Sequence, residues 1–354
     1  MTPAFLRLPL YAFDLSDRSY KYLLLKPQRN TFVVSHFGEG SLPAGVLENG
    51  EIKQADLLAA SLRDVFARNE IEFVSVSLPE EKGFLKSLQM PLTMREDEIG
   101  SSLALQIEEH VPLPAREVVF DYILVGKDGD HFDIVLRAFP RSIMESYITV
   151  ITKAGALPVL IEPELSAMVR AIVPPSYTGT GMLIDWGQTR TSFAIFHRGA
   201  VRFAATVPIS GVMVTEAIAK HMKISFEEAL RLKRTNTHIA ITKENIERDE
   251  TTQAIVPIVS AIRKETERYI VYWQGRSDVG SLPDRIYLTG GDANIPGLSD
   301  YFSAELGITT TVANPWENVS FPSFYLPDLS RRDSLRYAST IGLSLQAAEY
   351  NTFL

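Results

Sequence analysis

The 354-residue chain contains no cysteine. That absence excludes disulfides, thiolate zinc sites, iron–sulfur clusters and cysteine nucleophiles together. No apolar run approaches the ~18–20 residues that span a bilayer. The start, Met1-Thr2-Pro3-Ala4-Phe5-Leu6-Arg7, lacks the long apolar stretch of a signal peptide. Both point to a cytoplasmic protein. Positive charge is also short: 35 Lys and Arg against 43 Asp and Glu leave a net charge of −8, which argues against nucleic acid as the main partner. The six His include no His-x-x-x-His pair, which argues against a His-held metal. No Gly-x-Ser-x-Gly elbow, Gly-Lys-Ser/Thr phosphate loop or Gly-x-Gly-x-x-Gly fingerprint occurs.

What the chain does have is an ordinary globular composition, 45% hydrophobic and 22% charged, and enough length for two domains. It also repeats itself. Tyr11-Ala12-Phe13-Asp14-Leu15-Ser16-Asp17-Arg18-Ser19-Tyr20-Lys21 and Met182-Leu183-Ile184-Asp185-Trp186-Gly187-Gln188-Thr189-Arg190-Thr191 each read as an apolar strand, an Asp, a short polar turn and a second strand. The two Asp stand about half a chain apart. A third strand, a helix and a fourth strand follow in each half: Thr31–Val34, Gln54–Arg68 and Phe73–Leu78, then Ala200–Val207, Gly211–Met222 and Arg285–Thr289. Such duplication predicts two α/β lobes facing a cleft. The halves are interrupted differently. Residues 92–162 read as a small α/β module, and the second half carries helices over about 223–280, the best of them at 253–274 with Ile255, Val259, Ile262, Thr266, Tyr269 and Trp273 on one face.

The chemistry lies in the turns. An Asp at the end of a buried strand, followed by a small-residue turn, suits a phosphate and a hydrated Mg²⁺, because tight-turn N–H groups cradle oxygens and the carboxylate holds the ion through water. Gly187 allows close backbone approach, and Thr189 and Thr191 add hydroxyls. A plain solvent-exposed hairpin would look much the same at either site alone. Leu288-Thr289-Gly290-Gly291-Asp292-Ala293-Asn294-Ile295-Pro296-Gly297-Leu298 is a strand, a Gly-rich turn and a helix, either a nucleoside-facing loop or a tight turn without a ligand.

Together these elements resemble the actin-like ATPase superfamily, and within it the type IV pilus assembly protein PilM family. The stretches that carry this second resemblance are Leu78-Pro79-Glu80, Met90-Pro91-Leu92, Glu96-x-Glu98-Ile99, His110-Val111-Pro112-Leu113-Pro114, Phe120-Asp121-Tyr122, Pro208-Ile209-Ser210-Gly211, Glu228-Ala229 with Lys233, the Gly290-Gly291 loop, Asn314-Pro315-Trp316 and Ile341-Gly342-Leu343-Ser344-Leu345. The resemblance covers essentially the whole chain. It implies a duplicated actin-like (ribonuclease-H-like) two-lobe α/β fold with a small α/β subdomain inserted in the first lobe. The divisions would be 1–91, an insert at 92–162, a connecting helix at 163–180 and a second lobe at 181–354 whose C-terminal segment returns to the first.

It also implies ATP and Mg²⁺ as cofactors. Asp14, Ser16, Ser19 and Lys21 would form the first phosphate hairpin, and Asp185, Gly187, Thr189 and Thr191 the second, with Asp14 and Asp185 holding Mg²⁺ through water. Gly211, Glu228, Lys233, Glu265, Arg268, Gly290, Gly291 and Asn294 would surround the nucleoside, and Glu162 would position the attacking water. The first hairpin departs from the family's Asp-Ile-Gly-Ser, since Ser16 replaces the Gly and Asp17 adds a negative charge; Trp186 and Gln188 are unusual in the second. These departures imply weakened nucleotide binding and at most weak ATPase activity. The implied role is a cytoplasmic adaptor at the inner face of the membrane that docks the N-terminal peptide of a PilN-like inner-membrane protein, meets pilus motor and platform proteins, and could self-associate. Two other functions remain open: an FtsA-like division filament, disfavoured because the chain stops at Gln346–Leu354 without an amphipathic anchor, and an actin-fold sugar or acetate kinase.

Overall fold

The computed structural model describes residues 8–235, 239–275 and 281–353; the leader reading of Met1–Arg7, the chain's last residue and parts of the 223–280 insertion lie outside these. The first half opens with β1 (Leu10–Ser16), β2 (Ser19–Gln28) and β3 (Thr31–Ser41), followed by the short hairpin β4 (Leu47–Glu48) and β5 (Glu51–Ile52), then α1 (Ala55–Arg68) and β6 (Phe73–Leu78). β7 (Phe84–Pro91), α2 (Ile99–His110), β8 (Val118–Asp128) and β9 (His131–Pro140) come next, before α3 (Arg141–Ala154), β10 (Leu157–Pro163) and α4 (Glu164–Ile172). The second half runs β11 (Thr180–Trp186), β12 (Thr191–His197), β13 (Ala200–Val207), α5 (Gly211–Met222), α6 (Phe226–Thr235), α7 (Lys243–Arg248), α8 (Glu250–Gln274), β14 (Arg285–Thr289), α9 (Leu298–Leu306), β15 (Thr309–Val312), α10 (Arg331–Ser334) and α11 (Ala338–Phe353).

Two five-stranded sheets share one topology. The first is ordered β10-β6-β1-β2-β3 and the second, reversed to match, β15-β14-β11-β12-β13. In each, a hairpin pairs antiparallel with the following strand on one side, and two parallel strands flank the other. The central strands β1 and β11 are almost wholly buried, so they read as continuous apolar runs rather than alternating ones. Asp14 and Asp185 close those runs at corresponding points. Each lies where its strand leaves through a hairpin on one side and is flanked by a parallel crossover on the other, the crevice where open α/β sheets take ligands.

The insert is drawn differently from 92–162. Its three-stranded sheet, β7-β9-β8, begins at Phe84 and ends at Pro140, with α2 packing Ile99, Leu103 and Ile107 onto Met90, Ile134 and Leu136. α3 packs instead on α1, and β10 joins the first sheet in parallel beside β6, from Leu157 opposite Phe73 to Pro163 opposite Leu78. Residues 141–163 therefore belong to the first lobe.

α4 connects the halves, and α11 crosses it so closely that a Cβ on Gly342 would overlap the backbone of Ala167. α11 also packs on β1 and β2, returning the chain's end to the first lobe. In the second lobe α8 buries Ile255, Val259, Ile262, Thr266, Tyr269 and Trp273, and the Asp249 carboxylate caps its start by accepting from Thr252 N at 2.6 Å. Among the described residues no helix is long and apolar enough to cross a membrane.

Candidate functional site

The two hairpin turns meet across the cleft. Asp14 is buried and accepts hydrogen bonds from Ser77 Oγ at 2.6 Å, Ser339 Oγ at 3.1 Å and Ser16 Oγ at 3.4 Å. Lys21, its partner across the β1–β2 ladder, brings Nζ to 3.7 Å from Oδ2. Asp185 faces this pair from the other lobe. Burial pushes its carboxyl up to about 6; Lys21 and Arg190 pull it down, and the Asp14 carboxylate pushes it up. The two Asp and Lys21 thus form one electrostatic group at the ends of the central strands.

The second turn is tight. Gly187 N donates to Arg190 O at 3.0 Å, while the carbonyls of Gly187 and Gln188 accept from the first amides of α5, Gly211 N at 2.9 Å and Val212 N at 3.0 Å. Thr191 is fully buried and gives its hydroxyl to Ile209 O at 2.6 Å, so it holds the turn against the loop between β13 and α5. Thr189 lines a small hollow of about 210 Å³ together with Asp17, Arg18 and Glu48. Ser19 pairs with Ser16 at the first turn.

Gly290 has φ +87, and a Cβ there would strike the Trp186 carbonyl and stand 2.7 Å from Asp185 Oδ1, so only glycine lets the third loop nest against the second hairpin. Gly291 lies under the stem of Arg336, whose guanidinium reaches Glu39 on β3 with both carboxylate oxygens at 2.8 Å. Asn294 donates to Gly291 O and Arg332 O, which fixes the loop to the C-terminal segment. Lys233 bridges Gly211 O and Asp292 Oδ1, each at 2.8 Å. Burial raises the Asp292 carboxyl and Lys233 draws it back down.

Not every sequence candidate joins this group. Glu162 is buried with its carboxylate held by both terminal nitrogens of Arg170, one of them at 2.8 Å, and Arg170 Nη1 also donates to Gly342 O. It ties β10 to α4 and does not face the cleft. Glu164, two residues on, does: Arg190 draws its buried carboxyl down, and Glu81, Asp14 and Asp185 push it up. Glu228 is exposed on α6. Glu265 and Arg268 pair with each other on α8, where Arg268 lies over the Tyr269 ring that packs on Phe193 and Phe203.

The sequence reading passed over Arg190. Its Nη1 lies 3.2 Å from Glu81 and 3.4 Å from Asp17, and its Nη2 3.6 Å from Glu164. The signal was present as opposite charges, Asp17 and Arg190, in the two equivalent turns.

Comparison with known proteins agrees with the geometry. The family model described as type IV pilus assembly protein PilM matches residues 12–348. The chain belongs to that family. A solved PilM–PilN type IV pilus biogenesis complex superposes with a TM-score of 0.77 at 20% identity, over 96% of this chain and 99% of the other. MreB 5 of Spiroplasma citri bound to AMPPNP superposes at 0.54 with 14% identity, over 98% of each chain. Cell division protein FtsA of Bacillus subtilis is 22% identical over 323 residues, 78% of this chain and 72% of that protein. The fold is actin-like, and in this PilM-family chain the two hairpins and the Gly290-Gly291 loop stand together at the cleft, with Arg190, Asp17, Asp292 and Arg336 around them.

Proposed function

We propose that this PilM-family protein is a cytoplasmic, actin-like assembly factor of a type IV pilus platform that binds Mg·ATP between its lobes and docks the N-terminal peptide of a PilN-like membrane protein. One observation carries the nucleotide reading: Asp14 and Asp185, at equivalent points of the duplicated sheets, share a space in which Asp185 is pushed up to about 6. Two buried carboxyl groups facing each other from the two lobes, one of them pushed up by burial, fit a hydrated divalent cation. In this reading Asp14 and Asp185 hold Mg²⁺ through its water shell, Lys21 faces the phosphates, and Gly187 and Gly290 let backbone approach them. The ion would neutralise phosphate and carboxylate charge together. Lys233 and Asn294 border the nucleoside side, where Lys233 exchanges its contact with Asp292 for the ligand. The MreB neighbour's bound AMPPNP supports this reading by fold alone.

The peptide reading rests on the likeness to the PilM–PilN complex and on the insert's sheet, in which, among the described residues, β8 pairs only with β9 and leaves an outer edge, the kind of surface to which an extended peptide adds a strand. Thermal unfolding with and without Mg·ATP tests the nucleotide. A ligand at 100 times its dissociation constant stabilises by about 2.7 kcal/mol, and Asp185→Ala should abolish that shift. No shift in the parent protein at millimolar Mg·ATP would leave a scaffold with the fold and the docking edge alone.

A further inference from the structure

We infer that Arg190 is an inter-lobe latch: one guanidinium, carried by the second lobe, closes the cleft by drawing on three carboxylates outside that lobe. The three come from separate elements. Asp17 stands at the turn of the first hairpin, Glu81 follows β6, and Glu164 opens the connecting helix α4. Arg190 itself stands at the turn of the second hairpin, so its side chain crosses the line along which the lobes would part. The inference uses the same cleft as the nucleotide reading but does not depend on it.

Charge explains why this residue acts as a latch and not as one more surface pair. Among the described residues, five carboxyl groups gather at the cleft, from Asp14, Asp17, Glu81, Glu164 and Asp185, around the cations Lys21 and Arg190. Lys21 is engaged with Asp14 on its own lobe. Lys21 also attracts Asp185 across the gap, but Arg190 reaches three carboxylates there, and without it like charges on the two sides repel at short range, where little water screens them. Its side chain and those of Asp17, Glu81 and Glu164 are each less than one-fifth exposed.

The geometry also suits release. The contacts of Arg190 are 3.2, 3.4 and 3.6 Å, and neither Arg190 Nη1 nor the Glu81 oxygens make a directed hydrogen bond. Arg336, by contrast, holds Glu39 with two 2.8 Å bonds. A guanidinium shared loosely among three acceptors closes the cleft without locking it. The extra negative charge at Asp17, which by itself would oppose phosphate, is then the latch's acceptor, which accounts for Asp17 and Arg190 occurring in facing turns.

The absence of cysteine makes the test direct. Spin labels placed through Ala60→Cys on exposed α1 and Glu227→Cys on exposed α6 report the inter-lobe distance in the full chain. Without nucleotide, Arg190→Met should move the distribution to longer, broader distances than in the labelled parent. Asp17→Asn, which removes one acceptor and leaves Arg190 in place, should give a smaller shift in the same direction and serves where Arg190→Met does not fold. Distributions matching the parent in the variants that fold would overturn the latch, whatever ATP does. Opening by Arg190→Met that Mg·ATP reverses supports both the latch and the nucleotide reading. Opening that Mg·ATP leaves untouched supports the latch and removes the nucleotide reading.

Discussion

Arg202, on the edge strand β13 of the second lobe, donates both terminal guanidinium nitrogens to Asp133 on β9 of the inserted subdomain, one of them at 2.7 Å. The Arg202 side chain is completely buried, and its Nη1 also reaches Ser87 Oγ on β7 at 3.4 Å. The insert is covalently part of the first lobe, so this pair fastens it to the second as well. Any rotation of one lobe against the other must carry the insert with it or break the pair.

Breaking the pair on one side should be expensive. Arg202→Met leaves Asp133 as a largely buried charge without its partner, and such losses cost about 3–5 kcal/mol. Replacing both, as Arg202→Met with Asp133→Leu, removes two desolvation penalties along with the attraction, which is often neutral or better. Urea unfolding should therefore show a much lower midpoint for the single variant and recovery for the double. Equal losses in both would mean that packing at this contact, and not the buried charge, sets its contribution.

Two glycines separate steric from conformational demand. Gly307 has φ +67 and open space around a would-be Cβ, so Gly307→Ala should cost only the left-handed strain, about 1 kcal/mol. Gly290→Ala adds a collision with the Trp186 carbonyl and crowds Asp185. It should lower the melting midpoint further and also reduce the Mg·ATP shift, because the clash displaces the carboxylate proposed to face the ion. Matching midpoints for the two variants would show that the third loop can shift away from the second hairpin at little cost.

The duplication was legible because a strand–Asp–turn–strand hairpin leaves a local pattern, and the paired sheet orders follow from repeating it. Central strands announced themselves as unbroken apolar runs, Tyr11–Phe13 and Met182–Ile184. The insert's start was less legible: in Phe84-Leu85-Lys86-Ser87-Leu88-Gln89 the apolar residues do not alternate, so the pattern hides a strand. Ile161-Glu162-Pro163-Glu164 shows a finer limit. The strand ends at Pro163 and the helix begins at Glu164, so two acidic residues two positions apart face Arg170 and the cleft respectively. Nothing local distinguishes them, because direction at an element boundary depends on which residue starts the helix. Arg190 was hidden for a related reason: its partners are distant in sequence and meet only once both lobes are folded.

That boundary makes a prediction of its own. Glu162→Gln weakens the paired hold on Arg170 and should destabilise by on the order of 1–2 kcal/mol, yet leave the Mg·ATP shift unchanged, since Glu162 does not face the nucleotide cleft. Thermal unfolding with and without Mg·ATP reads both effects in one experiment. A lost shift with an unchanged apo midpoint would return Glu162 to a direct role in the cleft.

Asp185 predicts a pH dependence with a definite sign. Its carboxyl titrates at about 6 in the folded protein against 3.8 for the unperturbed group. Between those values the native state holds a proton that the unfolded chain has released, so stability falls as pH rises through that window. A difference of that size corresponds to roughly 3 kcal/mol of destabilisation, fully developed by pH 7 and absent near pH 4. Asp185→Asn, which cannot ionise, should match the parent near pH 4 and exceed its melting midpoint at pH 7, the gap opening between. Glu80 and Glu164 are also pushed up by burial, and Glu80 reaches about 7, so the parent's own pH profile mixes several groups. The difference between parent and variant isolates Asp185. A divalent cation held by the two Asp favours the ionised form, so millimolar Mg²⁺ with ATP should close the gap above pH 6 by stabilising the parent and not the variant. A gap that stays constant from pH 4 to 8 would mean that Asp185 is ionised throughout, and that Lys21 and Arg190 outweigh its burial.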